Sequence, residues 1–165
     1  MRRLVIACCL FSILRVASAQ SASAQAAGRV VMTIRGVGVG STPNQVQKAL
    51  GNPRAKKTEN DEMVGSILTF HYDGMDIEFT KDSDKKFTAT DFVVLSRRWS
   101  VSPGIRVGMT RSQMLKKLGN PESEPNRESD RGTVLYQFWA GNDEYSACRL
   151  KRGKIIEIHF FIDLS

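Results

Sequence analysis

Apolar positions along this chain keep two rhythms. Between residues 66 and 72 they alternate strictly, with Leu68, Phe70 and Tyr72 on one side, and Met75, Ile77 and Phe79 continue the alternation after Asp73 and Gly74. Period two marks a strand buried on one face only, and Asp-Gly between two such runs predicts a tight hairpin. Further strands are expected over 87–96, 133–140, 144–150 and 154–162, the last three separated by Gly141-Asn142 and Arg152-Gly153. The stretches 54–65 and 122–132 are polar and carry no such alternation, so they are expected as loops, with a short second helical turn as the alternative.

The second rhythm is helical. Val46 and Leu50, and again Met114 and Leu118, recur at i and i+4. Thr42 and Thr110 stand just before these stripes with Gln45 and Gln113 three residues on, the arrangement of a capping box. Pro43 suits the first helical position, where a missing N–H costs nothing. Gly51 and Gly119, followed by Pro53 and Pro121, are expected to end both helices in a left-handed turn.

These elements recur at a fixed spacing. Residues 36–53 and 104–121 align at a constant offset of 68 with ten identities in eighteen, Thr42/Thr110, Gln45/Gln113, Leu50/Leu118 and Pro53/Pro121 among them. Phe70/Phe138 keeps the offset, so the register extends beyond the motif. The expected architecture is α+β: two tandem repeats, 36–100 and 101–165, each a helix followed by a three-stranded meander. Units of about 60 residues bury little surface alone, so the copies are expected to join in one continuous antiparallel sheet with helices on one face. Residues 20–35 would form an N-terminal segment whose 30–34 stretch is a candidate edge strand, and 97–103, with Trp99, the connector.

The N-terminus changes the charge balance. Arg2 and Arg3 precede an apolar run from Leu4 to Leu14, and Ala17-Ser18-Ala19 follows, with Ala22-Ser23-Ala24 as a second site. This is the pattern of a cleaved secretory signal over 1–19, with cleavage after 24 as the alternative, and it implies an exported protein, periplasmic or secreted. The short run before Cys8 makes a poor lipidation motif, so no stable membrane anchor is expected after cleavage. Removing 1–19 takes away three arginines and no acid, lowering the formal net charge from +7 to +4. The remaining basic residues cluster only in pairs such as Lys56-Lys57 and Arg97-Arg98, which excludes a nucleic-acid stripe. Cys148 is then the lone cysteine, and a small apolar side chain in a strand accounts for it.

Candidate chemistry is sparse. Gly36, Gly38 and Gly40 lack the third glycine of a dinucleotide turn, where Ser41 stands, and read as turn residues. Only two histidines occur, His71 and His159, without metal-ligand spacing, and no nucleophile elbow is present. The chain therefore reads as non-catalytic, with no cofactor or metal expected. If Leu68 and Phe70 point inward, Thr69 and His71 point away, and the offset transfers this to Gln137 and Trp139. In the last strand Ile156, Ile158 and Phe160 would face in, leaving Glu157, His159 and Phe161 outside. Trp139, His159, Phe161, His71, Gln137 and Glu157 are thus the candidate protein-binding residues, the partner being an enzyme or an envelope component. A second layer, a dimer contact or a one-residue slip of register would explain the same pattern.

The repeated V-G-x-T and L-G-x-P motifs, Val39-Gly40-Ser41-Thr42 with Leu50-Gly51-Asn52-Pro53 and Val107-Gly108-Met109-Thr110 with Leu118-Gly119-Asn120-Pro121, resemble the SmpA/OmlA family, the small lipoprotein of the β-barrel assembly machinery. Two tandem copies in an exported chain look still more like the β-lactamase inhibitor protein fold. That resemblance implies a curved sheet gripping an enzyme, hence an exported binding module acting as an inhibitor. The SmpA/OmlA resemblance implies instead a structural accessory in outer-membrane or envelope assembly.

Overall fold

A computed structural model describes residues 29–81, 84–128 and 132–163. The expected signal segment, both cleavage sites, Cys8 and Cys9 lie outside the described residues. The chain forms α1 (Pro43–Leu50), β1 (Ala55–Asp61), β2 (Gly65–Tyr72), β3 (Met75–Lys81) and β4 (Phe87–Val94), then α2 (Arg111–Leu118), β5 (Asn126–Glu128), β6 (Thr133–Gly141), β7 (Glu144–Lys151) and β8 (Lys154–Ile162). All eight strands lie in one antiparallel sheet in the order β1-β2-β3-β4-β8-β7-β6-β5.

This overturns the α+β expectation of tandem helix–meander repeats. The protein is mainly β, because each helix is only eight residues long and the polar stretches expected as loops contain the two outermost strands. Every residue of β1, Ala-Lys-Lys-Thr-Glu-Asn-Asp, is exposed. An edge strand needs no alternating apolar face, and charge along it deters pairing with other chains, so polarity concealed it in the sequence.

The helices begin as their caps dictate. Thr42 Oγ1 accepts from Gln45 N and Gln45 Oε1 from Thr42 N, and Thr110 and Gln113 repeat the exchange. Their ends differ from expectation. Gly51 and Gly119 have φ of 87° and 81° but extended ψ, and each donates a single bond to the carbonyl four residues back. The loop before each helix is clipped to a strand: Gly40 N donates to Ala89 O and Ala89 N to Ser41 O, while Gly108 N donates to Ile155 O and Ile155 N to Met109 O.

One face of the sheet carries the core. Phe70, Met75, Ile77, Phe79, Phe92, Phe138, Ile158 and Phe160 are fully enclosed there with Val46 and Leu50 of α1 and Met114 and Leu118 of α2. Two short helices cannot cover eight strands, and the backbone on either side of them fills the rest. The 30–34 stretch is therefore not an edge strand. It crosses the inner face, with Val30 N bonded to Trp139 O and Thr33 O accepting from Ser102 N, and it buries Val30, Met32 and Ile34. The connector does likewise through Trp99, Val101 and Ile105, the indole N–H of Trp99 donating to Asp73 O at 2.9 Å.

Two further details position the opposite face. The β2–β3 hairpin turns at Gly74, whose φ is 70° and where a Cβ would lie 2.3 Å from that of Ser96, so only glycine fits. Bulges interrupt the ladders at β3–β4, β7–β8 and β6–β7. In β8 the register passes from Arg149↔Glu157 to Leu150↔Ile155, leaving Ile156 unopposed. Ile155 is consequently the buried residue and Ile156 is exposed, the reverse of the sequence expectation. At the β6 end of the sheet, Glu122 N and Val30 N occupy the outward carbonyls of Gln137 and Trp139.

Candidate functional site

Strand parity defines the open face. Lys57, Thr69, Glu78, Asp91, Phe161, Tyr145 and Trp139 are successive cross-strand partners, forming one row from β1 to β6. Seven strands at about 4.8 Å spacing make this row roughly 29 Å long. A second row runs Ala55, His71, Asp76, Val93, His159, Ala147 and Gln137. No element of the described residues lies across these rows. Side chains here range from exposed at Lys57, Glu78, Gln137 and Trp139 to buried between their neighbours at Thr69 and Ala147.

All six candidate residues sit on this face. Trp139 is the most open of the large ones, 46% exposed, and Gln137 is exposed beside it. Phe161 stacks between His159, at 4.5 Å, and Tyr145, at 5.8 Å, and Trp139 is the cross-strand neighbour of Tyr145. The structure thus gathers His159, Phe161 and Trp139 into an aromatic strip, with Tyr145 as the member that sequence reasoning missed. Its parity was legible, since it alternates with the inward Ser146 and Cys148; its place between Phe161 and Trp139 depends on the pairing of three strands.

His71 lies apart, on β2, where Nδ1 meets Asp76 Oδ1 at 2.8 Å. Glu157 is held by Arg149, which also bonds Glu128 at 2.9 Å. The Glu128 hydrogen bonds, and then the charge of Glu157, hold the Arg149 guanidinium above its ordinary range. This trio therefore firms the β5–β8 end of the face.

The β3–β4 part is acidic. His159 Nε2 meets Asp91 Oδ2 at 2.8 Å, while Asp91 Oδ1 is enclosed without any hydrogen-bond partner. Glu78, directly opposite Asp91, is exposed, and its carboxylate makes no hydrogen bond or salt bridge among the described residues. Desolvation by the surrounding sheet, reinforced by the charges of Asp91, Glu59 and Asp76, raises its carboxyl above the usual range, against a smaller pull from His159. Asp76, Glu78 and Asp91 all alternate with inward core residues, so their shared face was readable, but their proximity was not.

Other features offer less chemistry. Burial pushes the Cys148 thiol up to about 12, which keeps it protonated and unreactive at neutral pH. A cleft of about 230 Å³ between the 29–41 segment and the β6–β7 hairpin opens beside Arg29, Thr33, Ser41 and Ser146, smaller than the few hundred Å³ typical of ligand sites. A shallow hollow of about 400 Å³ at α2 and β5 is lined by Arg111, Glu124, Arg127 and Tyr136, and Arg111 is already engaged by the Tyr136 hydroxyl at 2.6 Å. Among the described residues no group of three or more His, Cys, Asp or Glu side chains could hold a metal ion, and no helix is long and apolar enough to cross a membrane.

No known protein family matches the chain, and no curated protein does. Likeness to the SmpA/OmlA family therefore rests on the helix-bounding motifs alone. Among solved structures the chain is similar to an extracellular protein containing a SCP domain from Bacillus anthracis, with 10% identity over 76% of this chain and a TM-score of 0.48. It spans only 44% of that protein. It is also similar to a DUF4309 family protein from Bacillus subtilis, with 15% identity over 74% of this chain and 79% of that one, TM-score 0.44. A third is a candidate β-lactamase inhibitor protein from Streptococcus mutans, with 16% identity over 76% of this chain and 84% of that one, TM-score 0.30. All three scores lie below 0.5, so no function is carried over from them.

Proposed function

We propose that this chain is a non-catalytic, exported protein-binding module that docks its partner on the open face of the sheet. The supporting observation is the aromatic strip His159–Phe161–Tyr145–Trp139, lying on a face that spans seven strands without a covering layer among the described residues. Exposed aromatics at the centre of a firm surface are the residues that contribute most to protein association. A sheet is also a rigid base: cross-strand hydrogen bonds fix the backbone and the stacking of Phe161 on His159 and Tyr145 limits the rings before a partner arrives, which lowers the entropic cost of docking. Export rests on the signal pattern over 1–19. The finer form of this reading is inhibition of an enzyme by occupation of its surface.

Site-specific photocrosslinking in the producing cell tests it. A benzoylphenylalanine replacing Trp139 is expected to capture one protein, and the same group replacing Lys48 on the exposed side of α1 is expected to capture none. Excess wild-type chain should suppress the adduct. Trp139→Ala should compete poorly, its affinity reduced by about 2 kcal/mol, roughly 30-fold. Absence of an adduct at 139, or equal adducts at both positions, would overturn the proposal.

A further inference from the structure

The open face is charged against the sign of the molecule. The chain carries a formal +7, or +4 without residues 1–19, yet β3 and β4 bring Asp76, Glu78 and Asp91 together, with Glu59 beyond them on β1. Around these carboxylates Lys57 pairs with Glu59, and the imidazoles of His71 and His159 hydrogen-bond Asp76 and Asp91. Glu78 alone among these carboxylates has no salt bridge, and the enclosed, unpaired Oδ1 of Asp91 leaves the charge across from it only partly compensated. The same row continues without a break from this excess negative charge into Phe161, Tyr145 and Trp139. Glu78 and Phe161 are two strand spacings apart, roughly 10 Å.

Granting that the open face is the docking site, we propose that its occupant is a protein segment presenting an arginine or lysine next to an aromatic or large aliphatic side chain. The cation would sit at Glu78 and the apolar group on the Phe161–Tyr145–Trp139 strip. A guanidinium suits both halves of this surface, since it pairs with carboxylates and lies flat on aromatic rings. Charge complementarity also excludes partners. An acidic protein, a nucleic acid or an anionic lipid surface would set like charges against Asp76, Glu78 and Asp91, with a penalty of like-charge contact. The raised carboxyl of Glu78 is the local sign of the same field, and an incoming cation relieves it.

Panning a phage-displayed library of random dodecapeptides on the immobilised full-length chain tests this, with Glu78→Lys and Trp139→Ala variants panned in parallel. The wild-type pool is expected to be enriched several-fold in Arg or Lys within two residues of Trp, Tyr, Phe or Leu. A synthetic peptide from that pool should lose at least tenfold in affinity to either variant, and the Glu78→Lys pool should shift toward Asp and Glu. A pool without basic enrichment, or a peptide indifferent to Glu78→Lys, overturns the proposal. If such a peptide still depends on Trp139, the docking face stands and only the choice of partner falls; if it depends on neither residue, both readings fall together. Both positions are exposed, and a melting curve matching that of wild type confirms that each variant is folded.

Discussion

Glu78 shows how the placing of a single carboxylate costs stability, whatever it binds. Its ionised form is disfavoured by desolvation on the sheet and by Asp91, Glu59 and Asp76. The folded chain therefore binds this proton more tightly than the unfolded chain does, so Glu78 adds stability in acid and loses it as pH rises through the raised value. Glu78→Gln is accordingly expected to melt higher than wild type at neutral pH. The advantage should shrink as pH falls and vanish once the carboxyl is protonated in both states. A Tm difference independent of pH would contradict the account. Some of this residue-level picture was open to sequence reasoning. Alternation placed His159 and Phe161 outward, and the 68-residue offset carried the same side to Trp139, with only a slip of register able to reverse it. Pairing of His159 with Asp91, 68 residues away, was not, since it depends on β4 meeting β8. Ile156 was misassigned because a bulge adds a residue that no alternation rule counts.

At the scale of elements, the two helices were the best-marked features of the sequence, and their start points follow from chemistry local to six residues. Thr42→Ala and Thr110→Ala each remove one capping oxygen and should each cost about 1 kcal/mol, read as a lower denaturant midpoint at unchanged slope. The sites are on different helices, so the double variant should lose close to the total of the two. Strands β2, β3, β4, β6, β7 and β8 were legible from one-sided alternation. β1 and β5 were not, because strands at the rim are selected for polarity rather than for a buried face. The 30–34 stretch failed for the opposite reason. Its alternation is real and its apolar residues are buried, but it lies over the inner face instead of extending the sheet. A buried period-two pattern specifies an extended segment, and what the segment lies against is decided by how much apolar surface remains uncovered.

The molecule as a whole is joined at its middle. β4 and β8 pair through Asp91↔Phe161, Phe92↔Phe160, Val93↔His159 and Val94↔Ile158, and the rings of Phe92 and Phe160 stack at 4.5 Å. The two halves are also laced together, since Val30 and Arg29 bond the backbone of β6 and Thr33 O accepts from Ser102 N. Residues 26–100 or 101–165 expressed alone are therefore expected to give no cooperative thermal transition. Each fragment would expose a long apolar edge strand and lose part of its inner cover. A transition in either fragment as sharp as that of the whole would show independent halves. The internal 68-residue correspondence hinted at joined halves, but the eight-strand order could not be derived from it, because two of the strands were not visible.

The rim of the sheet has a consequence for how this protein can associate. Charges line β1, and at the far end β5 is only three residues long while Glu122 and Val30 hold the outward carbonyls of β6 beyond it. Growth by lateral addition, copy upon copy, is thereby discouraged at both ends. What such edges leave open is broadside contact, by shape and charge over an area, which does not knit copies into ribbons.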